Sequence, residues 1–224
     1  LARLIPQVSG MIYSVAEDNL YCGFYIGSQT EVEIAGGKVA LKQQTDYPFD
    51  GKISIAVAPE AEQQEFTLWL RVPTWSGDKF VPGELYDYAD EQKTEVEVRV
   101  NGRKVKTNVV NGFVPVRRAW QAGDEVTLDL PMPVRYNVAD ERVEADRGKV
   151  SITRGPLVYC AEEPDNEAQV SSVVVNQVGA QGEVAPFADG VLKGIPAITL
   201  SAKDATLKLI PYYAWMNRGD GTAM

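Results

Sequence analysis

The chain has no histidine in its 224 residues and only two cysteines, Cys22 and Cys160. Without imidazole, the commonest routes to metal coordination and to a base-activated nucleophile are closed. We therefore expect the chain to be inactive on its own. No apolar run approaches the ~20 residues that a helical membrane span needs. Gly-rich phosphate loops, zinc-ligand spacings and serine-nucleophile elbows are also absent from the sequence. Basic clusters are missing too: 22 Lys and Arg are scattered among 31 Asp and Glu, for a formal net charge of −9. That balance argues against nucleic acid as a partner. It suits neutral ligands such as glycans, although solubility is the commoner reason for such a charge.

What is present is alternation. From about residue 20 onward, apolar and polar residues alternate with period two, and turn residues interrupt the pattern every ten or so positions, which reads as an all-β chain. Thr94–Val100 is the clearest strand, with valines on one face and charges on the other, and it runs into Asn101-Gly102, a dipeptide suited to a tight hairpin. Asn111-Gly112 and Gly123-Asp124 open two further strands, and residues 38–44, 52–57 and 66–72 read as strands upstream. Pro131 and Pro133 then interrupt the ladder. Further strands are expected at 149–153, 157–161 and 207–211, with a Val/Ala/Gly-rich stretch at 170–194 that the pattern does not place.

The two cysteines sit in apolar strand-like runs, where a free buried thiol acts as a small hydrophobe. The carboxylate pairs Asp140-Glu141, Glu144-Asp146 and Glu162-Glu163 are candidates for glycosidase-type chemistry by proximity alone, but such clusters are usually solvated. Among aromatics, Trp69, Trp75, Trp120 and Trp215 are candidate sugar-stacking platforms. Between Pro73 and Asp90 lies an irregular insert containing Trp75, Tyr86 and Tyr88, which we take as the candidate glycan contacts. A loop held down by its own aromatics is an equally good reading of that insert.

Several segments together are more specific than any one of them. They include Phe24-Tyr25-Ile26-Gly27-Ser28, Thr45-Asp46-Tyr47-Pro48-Phe49-Asp50-Gly51, Leu130-Pro131-Met132-Pro133-Val134-Arg135, Arg154-Gly155-Pro156-Leu157-Val158-Tyr159-Cys160 and the closing Pro211-Tyr212-Tyr213-Ala214-Trp215-Met216-Asn217-Arg218-Gly219. In this order they resemble the C-terminal part of glycoside hydrolase family 127, the β-L-arabinofuranosidase-like group. The resemblance implies an N-terminal (α/α)6 catalytic barrel, upstream of this region, in which cysteines and a glutamate hold zinc and one cysteine is the nucleophile. No catalytic or zinc residue of the family has a matching position here, so zinc is expected in the barrel and no catalytic, cofactor or metal residue in this chain.

On that basis we expect residues 1–14 to be a helical tail of the barrel, residues 15–135 a first jelly-roll-like β-sandwich and residues 136–224 a second, with the last strand returning to the first sandwich. Leu1-Ala2-Arg3-Leu4-Ile5 reads as the interior of an uncapped helix. With the barrel surface absent, Leu1, Leu4, Ile5 and Val8 should make residues 1–14 the least stable part. The implied role is a non-catalytic accessory region that braces the barrel of the same polypeptide, acting on plant-type arabinose-containing glycans. The alternative is a stand-alone carbohydrate-binding module.

Overall fold

The computed structural model describes residues 4–175, 182–203 and 205–217. The described strands, in chain order, begin with β1 (Tyr13–Ala16), β2 (Asn19–Cys22), β3 (Ser28–Ile34), β4 (Gly37–Thr45), β5 (Lys52–Pro59) and β6 (Gln64–Arg71). There follow β7 (Tyr86–Tyr88), β8 (Glu97–Val100), β9 (Arg103–Lys104), β10 (Phe113–Trp120), β11 (Asp124–Asp129) and β12 (Val134–Ala139). The last are β13 (Ser151–Arg154), β14 (Leu157–Ala161), β15 (Glu183–Pro186), β16 (Pro196–Ser201) and β17 (Thr206–Pro211). The all-β expectation holds throughout, and the described helices are short 3-10 turns. The longest, Ile5–Met11, has Leu4 and Ile5 exposed and buries none of its residues; Leu1 lies outside the described residues.

Contacts divide the chain into two compact units, residues 1–76 with 94–131 and residues 77–93 with 132–224. The first unit is a sandwich of a four-stranded sheet, β1-β2-β6-β10, and a six-stranded sheet, β3-β4-β5-β11-β8-β9. Strands β2 and β6 run parallel, because the three intervening strands cross to the other sheet before the chain returns. Alternation supplies the core: Leu20, Phe66, Leu68 and Leu70 on one sheet and Leu41, Ile53, Ile55 and Leu128 on the other are essentially inaccessible. Each such side chain contributes ~1.5–3 kcal/mol by leaving water. Trp120 is fully buried, stacks on Phe66 at 5.5 Å and donates from Nε1 to the Phe66 carbonyl at 3.0 Å.

Both Asn-Gly turns form as expected, with φ of +50° at Asn101 and Asn111 and +75° and +79° at Gly102 and Gly112. Gly123-Asp124 is different. It carries the chain from β10 in one sheet to β11 in the other, so it is a corner rather than a hairpin. Strand β8 starts at Glu97 instead of Thr94. Its partner β11 ends at Asp129 opposite Glu97, and Pro131 has no N–H to extend the ladder. Thr94 instead donates its hydroxyl to the Ser76 carbonyl at 2.8 Å.

The second unit is built on one antiparallel sheet of seven strands, β15-β16-β17-β14-β13-β12-β7. Its main core lies on one face, where Val134, Tyr136, Ile152, Tyr159, Ile198, Leu200 and Leu209 meet. Strand β17 stays in this sheet between β14 and β16, so the last described strand does not return to the first sandwich. The unplaced stretch supplies a 3-10 turn at Val170–Ser172, strand β15 and a further turn at Gly190–Leu192, while residues 176–181 lie outside the described set.

The irregular insert also groups with this unit rather than with the first sandwich. It adds β7 to the sheet edge, pairing Tyr88 with Asn137 and Tyr86 with Ala139. Nothing in its sequence alternation marks it as a strand of the C-terminal sheet, because β7 is only three residues long and is defined by its partner.

Candidate functional site

Cross-strand partners in an antiparallel sheet point to the same face, so Tyr86 and Tyr88 lie on the face of Arg135, Asn137 and Ala139, opposite the main core. This face should be solvated, yet Arg135, Asn137 and Thr153 are all buried there. Asp90 meets Arg135, with Oδ1 2.7 Å from Nε, an ion pair whose angle falls short of a hydrogen bond. The Arg135 guanidinium also lies 3.6 Å from the centroid of the Tyr88 ring. Burial pushes the Tyr88 phenol up to about 12, and its hydroxyl bonds to Thr153. Thr153 in turn accepts from Asn137 Nδ2 at 3.0 Å. A polar chain thus runs from Asp90 to Asn137 across three strands.

At its end is a cleft of about 250 Å³ lined by Tyr86, Asn137, Ala139, Asp146, Lys149, Val150 and Ser151. Tyr86 is exposed and its hydroxyl lies 3.4 Å from Asp146 Oδ2. Of the three expected glycan contacts, then, Tyr86 and Tyr88 share one face of one strand, while Trp75 belongs to the first unit. Trp75 is only 8% exposed, stacks on Tyr47 at 6.5 Å and donates from Nε1 to the Tyr47 hydroxyl at 3.4 Å. The loop position that suggests an accessible ring instead holds a buried one. Trp69 stacks on Tyr21 at 5.5 Å, whereas Trp215 is exposed and stacks on Tyr212 at 5.7 Å. Asn137 escaped the sequence reading altogether, since a single Asn in an alternating strand carries no signal.

The carboxylate pairs are accounted for by structure. Asp140 accepts from Arg142 Nε at 2.7 Å, which holds its carboxyl below the usual range. Glu144 lies 3.6 Å from Arg147, and buried Glu162 accepts the Met216 backbone N–H at 2.7 Å. Among the described residues no three His, Cys, Asp or Glu side chains gather as a metal site. The cysteines do not fit the zinc that the family resemblance implies. Neither is in a disulfide and both are buried, one in each unit, and burial pushes the Cys22 thiol up to about 12, whereas a zinc ligand must be a thiolate.

The described residues thus form a pair of β-rich units. Residues 19–132 match the family model described as β-L-arabinofuranosidase, GH127 middle domain, and residues 134–224 match the glycoside hydrolase family 127 C-terminal domain. The chain belongs to glycoside hydrolase family 127. It is 29% identical to a non-reducing end β-L-arabinofuranosidase of Bifidobacterium longum subsp. longum, over 99% of this chain and 35% of that protein. Among solved structures, a GH127 β-arabinofuranosidase superposes with a TM-score of 0.90 at 39% identity, over 99% of this chain and 36% of the other. A GH127 β-L-arabinofuranosidase from Geobacillus stearothermophilus T6 gives 0.82 at 35% identity, over 100% and 35%. The chain spans about a third of the length of these relatives, in which the same region is part of a longer polypeptide.

Proposed function

We propose that this chain is the non-catalytic accessory region of a β-L-arabinofuranosidase-like glycoside hydrolase and braces a zinc-dependent catalytic domain carried upstream in the same polypeptide. The observation that supports this reading is an asymmetry of the first unit. Loops 23–27 and 46–51 and the start of β10 all leave the sandwich at one end, together with the turn that precedes β1. That end carries exposed Met11, Phe24, Ile26 and Phe49, with Leu4 and Ile5 in the segment leading to it. Beneath them Tyr25, Tyr47 and Trp75 form a packed aromatic layer, and Tyr25 Oη donates to the Arg71 carbonyl at 2.5 Å. At the opposite end, around the turns at Glu17, Gly36, Glu62, Asn101 and Ala122, Val15 is the one exposed large apolar side chain among the described residues. Apolar side chains exposed at one end, over a packed aromatic layer, are what a docked domain would cover.

The test is hydrolysis of an aryl β-L-arabinofuranoside, with zinc and thiol present, by this chain, by the upstream segment and by their mixture. Bracing predicts that the mixture is more active or more heat-resistant than the upstream segment alone, and that Phe24→Ser with Ile26→Ser removes the gain. Equal behaviour of mixture and segment would sink the bracing role, and turnover by this chain alone would sink the non-catalytic assignment.

A further inference from the structure

The two Asn-Gly pairs look alike in sequence and in backbone, with φ of +50° at both asparagines and +75° and +79° at the glycines that follow. Their surroundings differ. The Asn101 side-chain amide is clasped at both ends, Nδ2 donating to Asp124 Oδ1 at 2.7 Å and Oδ1 accepting the Glu125 N–H at 2.9 Å. The Asn101 N–H also donates to the Glu125 carbonyl at 2.9 Å, and the turn closes a ladder in which Val100 pairs with Arg103. This asparagine is tied to β11 through backbone and side chain alike.

Asn111 is exposed, and its side chain forms no hydrogen bond among the described residues. Its turn is closed by the bridge between Val110 and Phe113, whose two bonds are 2.7 and 3.0 Å, and by the Val72 N–H on the Gly112 carbonyl at 2.7 Å. The Gly112 N–H donates to no described residue. Residues 105–109, which lead into the turn, belong to no strand, and Val109 is 50% exposed. A turn held by a few exposed backbone bonds opens locally at low cost. Once open, its free amide can meet the nitrogen of the next residue, and glycine, lacking Cβ, leaves that approach unobstructed.

We propose that Asn111 is a self-modification site, deamidating in the folded chain while Asn101 is preserved. The Gly112 backbone nitrogen gives its proton to solvent and attacks Asn111 Cγ. The new C–N bond forms as the Cγ–Nδ2 bond breaks, and Nδ2 takes a proton from water and leaves as ammonia. Water then opens the succinimide at either carbonyl, giving aspartate or isoaspartate, with no oxidant or reductant involved. At Asn101 the same attack must first break the bonds to Asp124 and Glu125, one of them to a carboxylate, which slows it at least about tenfold. The product places a carboxylate, and as isoaspartate an extra main-chain methylene, at the end of the first unit that exposes Phe24, Ile26 and Phe49. The site is chemically independent of the bracing role, so the two stand or fall separately.

The experiment incubates the 224-residue chain at mildly alkaline pH, folded and, as a reference, unfolded in guanidinium chloride, and follows each Asn-Gly site by peptide mapping with mass spectrometry. Unfolded, the two sites should convert at comparable rates, because glycine follows each asparagine. Folded, Asn111 should convert at least about tenfold faster than Asn101, and an acidic species should grow on ion exchange with the same time course. Asn111→Gly, which keeps a turn suited to both positive φ angles, should remove that species. Comparable rates at the two sites in the folded chain, faster conversion at Asn101, or an Asn111 still intact when the unfolded reference has converted would each overturn the proposal. So would an acidic species that persists in Asn111→Gly.

Discussion

Asp90 and Arg135 hold each other across the edge of the seven-stranded sheet, Oδ1 to Nε at 2.7 Å, with side chains 3% and 6% exposed. Asp90 also accepts from the Tyr136 and Gln92 backbone N–H groups, each at 3.2 Å. One carboxylate thus fixes the insert to the sheet and neutralises the guanidinium that covers Tyr88. Desolvating both ions is costly, so the pair specifies where the insert lies more than it adds net stability.

Removing one partner should therefore be far worse than removing both. Asp90→Asn keeps an oxygen for only one of the two backbone donors and leaves a buried guanidinium uncompensated, at a cost of ~3–5 kcal/mol. At ~2–4 °C per kcal/mol for a chain of this size, calorimetry should record a drop of ~6–20 °C. Asp90→Asn with Arg135→Met should recover most of it. A double variant as unstable as the single one would contradict this account.

Trp75 and Tyr86 should separate cleanly. Trp75→Ala empties a buried aromatic layer and should cost ~3–5 kcal/mol, whereas Tyr86→Ala at an exposed edge should stay within ~0.5 kcal/mol. Urea melts of the two variants check this. A Trp75→Ala protein as stable as the parent would mean that the ring is not part of the packing.

Gly51 admits no side chain. A Cβ there would sit 1.9 Å from the Leu130 carbonyl oxygen, and the Leu130 N–H donates to the Gly51 carbonyl at 2.9 Å, so the two strands cannot part without breaking that bond. Gly51→Ala should lose at least ~1–3 kcal/mol, as overpacked cores do. Thermal unfolding of this variant beside Gly102→Ala, where the added Cβ meets open space, separates steric clash from loss of glycine's backbone freedom.

Alkaline pH should destabilise the first unit through Cys22. Burial raises its thiol from 9.0 to about 12. Unfolded, the thiol loses its proton near 9, while the folded state keeps it until about 12. In that window the unfolded chain binds fewer protons, so stability falls as pH rises, by ~1.4 kcal/mol per pH unit from this group. Below 9 it contributes no slope. Tyr25, also raised by burial, acts in the same direction. Urea midpoints at pH 8, 9, 10 and 11 should fall less steeply in Cys22→Ala than in the parent, and parallel slopes would refute the assignment.

Much was decided by sequence alone, for physical reasons that are local. Period-two alternation fixed strands such as β4, β5, β6 and β14 to within a residue or two, and Asn101-Gly102 and Asn111-Gly112 fixed their turns because few other residues accept those φ angles. The missing histidine excluded most site chemistries, and the ordered segment motifs carried the family. Tertiary structure alone decided the rest. Whether Gly123-Asp124 closes a hairpin or turns a corner depends on which strands β10 and β11 find as neighbours, not on the two residues themselves. Tyr86–Tyr88 becomes a strand only because β12 has an open edge, and Trp75 is buried because Tyr47, remote in sequence, lies against it. The polar chain from Asp90 through Arg135, Tyr88 and Thr153 to Asn137 joins residues from three strands. Its burial, and the unmet oxygen at its end, exist only once the sheet brings them together.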